Sequence, residues 1–136
     1  YLVDEDTRSF NRIMDAFKLP KGSDEEKKIR KEAVQSATRY AIEVPFRVME
    51  VSLKSMDLLM AMVKEGNPNS ITDAGVGALC ARTAVLGAHM NVRINAAGFQ
   101  DKVFLDDILA RAKRIEEEAI RTEQEIIERV NQQING

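Results

Sequence analysis

A single cysteine, Cys80, leaves this 136-residue chain without an internal disulfide. Nothing covalent staples the fold, and a reducing compartment such as the cytoplasm suits it. A single histidine, His89, closes off two metal chemistries. A zinc set needs more than one Cys and one His, and a di-iron bundle needs two inward Glu-x-x-His pairs. No metal is therefore expected. No apolar run approaches the ~20 residues of a membrane span, and no charged-then-apolar leader is visible. The net charge of -2 argues against bulk affinity for nucleic acid, which needs a clustered basic face. No segment alternates apolar and polar residues with β-branched enrichment, so strands are not expected. No nucleophile-elbow pattern supports a catalytic triad.

What is present is helical. With 44% hydrophobic and 31% charged residues, the chain has the balance of one soluble domain spanning residues 1–136. It opens on Tyr1, not Met, and reads as a fragment or processed product of something longer. Only three prolines and seven glycines leave long uninterrupted segments. A first helix is expected from Val3 to about Leu19, with Phe10, Ile13, Met14 and Phe17 on its apolar stripe. Ser23 and Glu26 read as a capping box for a second helix. There Ile29, Ala33, Ala37, Tyr40, Ala41, Val44 and Val48 repeat at helical spacing. Pro45 removes one backbone donor and frees the carbonyl of Ala41. Apolar periodicity resumes beyond it to Gly66, so a kink rather than a stop is expected. A third helix runs from Ser70 to about Ala97, with Gly98 as its stop. In the last helix Leu105, Ile108, Ala112, Ile115, Ala119, Ile126 and Val130 form a heptad-like seam. These elements predict an all-α fold: a mainly antiparallel bundle of long helices, one kinked at Pro45.

The most informative stretch is Asn67 to Asn95, NPNSITDAGVGALCARTAVLGAHMNVRIN. Its Gly and Ala let neighbouring backbones approach or leave room for a ligand. Asp73 reads either as the acidic member of a capping box begun at Ser70 or as a carboxylate facing a cleft. Asn91 and Asn95 lie one turn apart, and Asn is a mediocre residue inside a helix. They serve either a ligand or hydrogen bonding between packed helices. Asp73 shares their face but lies roughly 27 Å from Asn91 at ~1.5 Å per residue. One small ligand on one subunit could not touch all three, which predicts a site spanning a dimer interface. His89, one turn before Arg93, reads as a surface or packing residue. The basic cluster Lys27, Lys28, Arg30 and Lys31 and the Glu116–Glu118 run read as solvated faces.

Taken in order, several segments resemble the formiminotransferase-cyclodeaminase family, in its C-terminal cyclodeaminase-type domain. They are LVDEDTRSFNRIMDAFKLPKGSDEE at the start, AIEVPFRVME around Pro45, and GNPNSITDAGVGA followed by GAHMNVRIN. The resemblance covers nearly the whole chain. Family members begin with an extra helical region carrying a Pro-Gly-Gly-Gly-Ser motif, absent here, so the chain is expected to be the C-terminal part of such a domain. The resemblance implies a cyclodeaminase that converts 5-formimidoyltetrahydrofolate to 5,10-methenyltetrahydrofolate and ammonia. The alternatives are a methenyltetrahydrofolate cyclohydrolase-like enzyme and a non-catalytic helical oligomerisation module. It further implies a tetrahydrofolate derivative as substrate, Asp73 as catalytic carboxylate, and Asn91, Asn95 and Arg93 as substrate-binding residues. The distance from Asp73 to Asn91 makes a homo-oligomer the expected working form.

Overall fold

The computed structural model describes residues 1–136 and contains four α-helices and no strand: α1 (Leu2–Lys18), α2 (Asp24–Glu65), α3 (Ile71–Ala96) and α4 (Lys102–Asn135). Short links reverse the chain between them. At ~1.5 Å per residue the 42-residue α2 is about 63 Å long and is the spine of the bundle. α2, α3 and α4 pack on one another, and α1 packs on α2.

The capping box at the start of α2 forms as the sequence indicates. Glu26 N–H donates to Ser23 Oγ at 3.1 Å, and Ser23 N–H donates to Glu26 Oε2 at 3.0 Å. Asp24 and Glu25 add charge of the favoured sign to the first turn. α2 then runs through Pro45 without stopping. The carbonyl of Ala41, which Pro45 cannot serve, accepts a hydrogen bond from Asn95 Nδ2 at 2.8 Å. Ala41 is buried, so an unmet carbonyl there would carry a desolvation cost.

Two expectations about local structure change. Ser70 makes no side-chain cap, so the Ser70–Asp73 capping box does not form. Residues Pro68–Ser70 instead make a single 3₁₀ turn, capped by Asn67 Oδ1, which accepts from Asn69 N–H at 3.0 Å. Ser70 stands at the N-cap of α3, but the preceding turn leaves it at φ -108 and ψ 11 instead of the extended backbone from which a side chain caps. The second change concerns α1. Phe10, Met14 and Phe17 are exposed, and Ser9 and Ala16 are buried instead. The seam with α2 is partly polar: the Tyr40 hydroxyl donates to Glu5, and the Arg12 guanidinium lies 4.1 Å from the Tyr40 ring centroid. Helical spacing showed which α1 residues share a stripe, but not which stripe meets α2.

The core has two parts. The larger surrounds Ile42, Met49, Met56, Val85, Val92 and Ala112. The smaller joins Val63, Ile71, Ala74, Ala78, Ile126 and Val130. Near the junction in sequence, Glu123 on α4 is buried and approaches Arg82 of α3 at 3.8 Å. The expected α4 seam holds, with Ile108, Ala112, Ala119, Ile126 and Val130 all buried. Gly77 allows close approach of α2, since a Cβ there would stand 2.7 Å from a Leu59 methyl. Gly98, with φ +85, turns the chain out of α3 in a conformation that side chains disfavour. The link beyond it is tied to α2 by Gln100 N–H donating to Gln35 Oε1 at 2.9 Å.

The Pro45–Asn95 relation has a measurable consequence. Asn95→Ala should cost about 1–3 kcal/mol by urea denaturation. In a Pro45→Ala background residue 45 regains the N–H that serves Ala41, and the cost of Asn95→Ala should fall by about 1 kcal/mol or more. Additivity within ~0.5 kcal/mol would show that the two residues are not coupled.

Candidate functional site

The residues singled out in α3 point to different sides of that helix. Asn91 is exposed and faces α1 and the Pro45 region of α2. It lines an open recess of about 410 Å³ with Asp6, Thr7, Pro45 and Ala88. Asn95 is half-buried, and its amide nitrogen is occupied by the Ala41 carbonyl. That donor, expected to meet a substrate, belongs to the scaffold. Asp73 is exposed in the first turn of α3, and unbroken helix separates it from Asn91. Arg93 faces the other side of α3, towards α4, and lines a recess of about 420 Å³ with His89, Leu109, Lys113 and Glu116.

This last recess brings an imidazole, a carboxylate and two cations together. His89 is only 8% exposed, and its Nδ1 is hydrogen-bonded to Glu116 Oε2 across the α3–α4 seam. An ionised carboxylate can only accept, so Nδ1 carries the proton, and in the neutral ring Nε2 presents its lone pair. Nε2 has no protein partner and keeps contact with solvent. Arg93 follows His89 by one turn, and Lys113 precedes Glu116 by three residues. Two cations therefore border an oriented imidazole. The set can hold an anionic group beside a proton-transfer centre.

The sequence did not announce this arrangement. His89 and Glu116 are 27 residues apart, and Glu116 sits in an acidic run that reads as water-facing. One signal was available: His89 falls four residues after Val85 and three before Val92, both fully buried, on the core side of α3. Another recess, about 580 Å³ between α1 and α2, includes Arg12, Arg39, Tyr40 and Glu43. Its charged groups already serve the protein, with Arg39 Nε on Glu43 at 3.0 Å and Arg12 on Tyr40.

The sequence pattern of the formiminotransferase-cyclodeaminase family matches residues 1–114. The chain belongs to that family. Among relatives of this cyclodeaminase-type chain, the methenyltetrahydrofolate cyclohydrolase of Methylorubrum extorquens is 34% identical over 134 residues, covering 98% of this chain and 64% of that protein. The formimidoyltransferase-cyclodeaminase of Rattus norvegicus is 35% identical over 118 residues, covering 87% of this chain and 22% of that protein. The crystal structure of formiminotetrahydrofolate cyclodeaminase from Thermotoga maritima superposes with a TM-score of 0.82 at 22% identity, over 98% of this chain and 62% of that one. The all-α bundle is therefore shared, and the chain spans under two thirds of the length of each of these proteins. The matched family span takes in His89, Arg93 and Lys113 and stops two residues short of Glu116.

Asn91 and Asn95 should separate cleanly in stability. Asn91 is exposed and makes no hydrogen bond that the fold uses, so Asn91→Ala should leave the urea midpoint within about 0.5 kcal/mol of the parent. A loss above ~1.5 kcal/mol would reveal a structural role for that amide.

Proposed function

We propose that this chain forms the helical body of a folate-dependent cyclodeaminase, converting 5-formimidoyltetrahydrofolate to 5,10-methenyltetrahydrofolate and ammonia in the cytoplasm. The observation that carries the reading is the family match over residues 1–114, supported by a bundle that superposes along nearly the whole chain. The reaction is intramolecular. N10 of the folate attacks the formimidoyl carbon, and a tetrahedral centre expels ammonia. The protein must hold N10 against that carbon and manage protons, and neither task calls for a metal. Of the residues singled out in α3, Arg93 is carried into this site, where its guanidinium suits a substrate carboxylate. A second reading, hydrolysis of the methenyl bridge, is favoured by the similarity to the Methylorubrum extorquens protein along 98% of this chain.

The working form on this reading is a homo-oligomer. Val76, Cys80, Thr83, Gly87, Met90 and Ile94 are exposed along α3 at alternating spacings of four and three, the rhythm of a helix–helix seam. Gly87 costs about 1 kcal/mol against Ala inside a helix, and a Cβ there would meet nothing within 4 Å. The chain itself gains nothing from its lack of a side chain, whereas a second copy packed on the seam would. An antiparallel pair brings Asp73 of each copy towards Asn91 of the other. On this reading Asp73 belongs to the interface, and Asn91 borders it beside α1.

Tetrahydrofolate at 100-fold its Kd should raise the melting temperature by roughly 10 °C, and the chain should release ammonia from the formimidoyl substrate. Methenyl hydrolysis without ammonia release would favour the second reading. Inactivity on both substrates with an unmoved melting curve would overturn both. Gly87→Leu should shift sedimentation towards the monomer, and an unchanged profile would contradict the α3 seam.

A further inference from the structure

Resting on the cyclodeaminase reading above, we propose that His89, oriented by Glu116, is the proton shuttle of the reaction, and that Arg93 and Lys113 hold a carboxylate of the substrate beside it. His89 would be a catalytic residue and Glu116 a positioning residue.

Three observations combine. The ring is nearly enclosed between α3 and α4, yet Nε2 retains solvent contact and no protein partner. The carboxylate on Nδ1 fixes the tautomer that leaves Nε2 able to accept a proton. The recess of about 420 Å³ has two cationic side chains on its rim. Lys113 reaches its only ion-pair partner, Glu117, at 3.9 Å between exposed side chains, a weak bond that an incoming carboxylate can replace. A folate carries carboxylates at one end and the reacting nitrogens at the other. Anchoring the anionic end on Arg93 and Lys113 leaves the one-carbon unit within the same recess as the imidazole.

The proton balance needs a group that first accepts and then donates. The formimidoyl group enters as its amidinium, with NH2+ on the one-carbon unit. When N10 bonds to that carbon, the electron pair of the C=N bond moves onto the nitrogen, leaving a neutral NH2, and N10 must lose its proton. Nε2 accepts that proton and becomes imidazolium, stabilised by Glu116. It then protonates the amine of the tetrahedral centre. The bond from carbon to that amine breaks, its electron pair leaves with ammonia, and the N5 lone pair forms the methenyl C=N bond. The imidazole ends as it began. No oxidant, reductant or second reactant enters.

The test uses the full chain. His89→Gln should lower kcat for ammonia release by about 10²–10⁴-fold and leave KM within about threefold, while tetrahydrofolate still raises the melting temperature. Glu116→Gln should lower kcat by at least tenfold, with KM nearly unchanged. Arg93→Gln should raise KM instead. An active parent whose His89→Gln variant keeps kcat within threefold overturns the proposal and leaves the cyclodeaminase reading standing. An independent measurement needs neither turnover nor a variant. His89 is the only histidine, so one pair of imidazole carbon-bound proton signals reports on this recess alone in NMR. Saturating tetrahydrofolate should shift those signals, and signals that stay in place overturn the proposal whether or not the chain is active.

Discussion

The hydrogen bond from Asn95 to the carbonyl of Ala41 governs how α3 sits on α2. A proline inside a helix costs ~3 kcal/mol or more, partly through the carbonyl it leaves unmet. Here that carbonyl is buried, and a side chain from the next long helix meets it. A hydrogen bond is directional, so it fixes the rotation of α3 as well as its distance from α2. His89 lies six residues before Asn95, about 120° round the helix at ~3.6 residues per turn. Holding Asn95 against α2 therefore turns His89 towards α4, where Glu116 meets it. The same rotation leaves Asp73 exposed and turns Asn91 towards α1.

Small residues make this placement possible. α3 is buried on two sides, against α2 and α4, through Ala74, Ala78, Ala81, Ala88 and Ala96. Alanine maintains helix while adding little bulk, so two neighbours can close on one central element. The result is a helix with separate duties around its circumference. One side carries the bond to the spine, another the polar group around His89, and the third an exposed apolar seam. The density of Gly and Ala thus serves packing on the inside, and on the outside the association proposed here.

Much of the fold was legible in the sequence because it is built from local rules. The Ser23–Glu26 box, the stop at Gly98 and the α4 seam depend on residues within a few turns, and each forms. The orphaned Ala41 carbonyl was also legible, since Pro45 dictates it; its partner was not, because Asn95 is 54 residues away. The same distance problem hid Glu116 from His89. The α1 stripe was recognised as a stripe, but which side of α1 meets α2 was not, because periodicity contains no information about what lies opposite. Asn95 illustrates the general difficulty with site residues. An amide inside a helix must satisfy its bonds somewhere, and sequence alone does not distinguish a ligand from a backbone carbonyl.

Two polar positions on one helix have different duties: Asn95 belongs to the scaffold, and His89 to the chemistry proposed above. A crystal structure of the full chain with a stable 5-substituted tetrahydrofolate tests that separation directly. The one-carbon unit should lie within hydrogen-bond reach of His89 Nε2, with Asn95 still bonded to Ala41. Ligand density on the Asn95 amide, with the α3–α4 recess empty, would contradict the account.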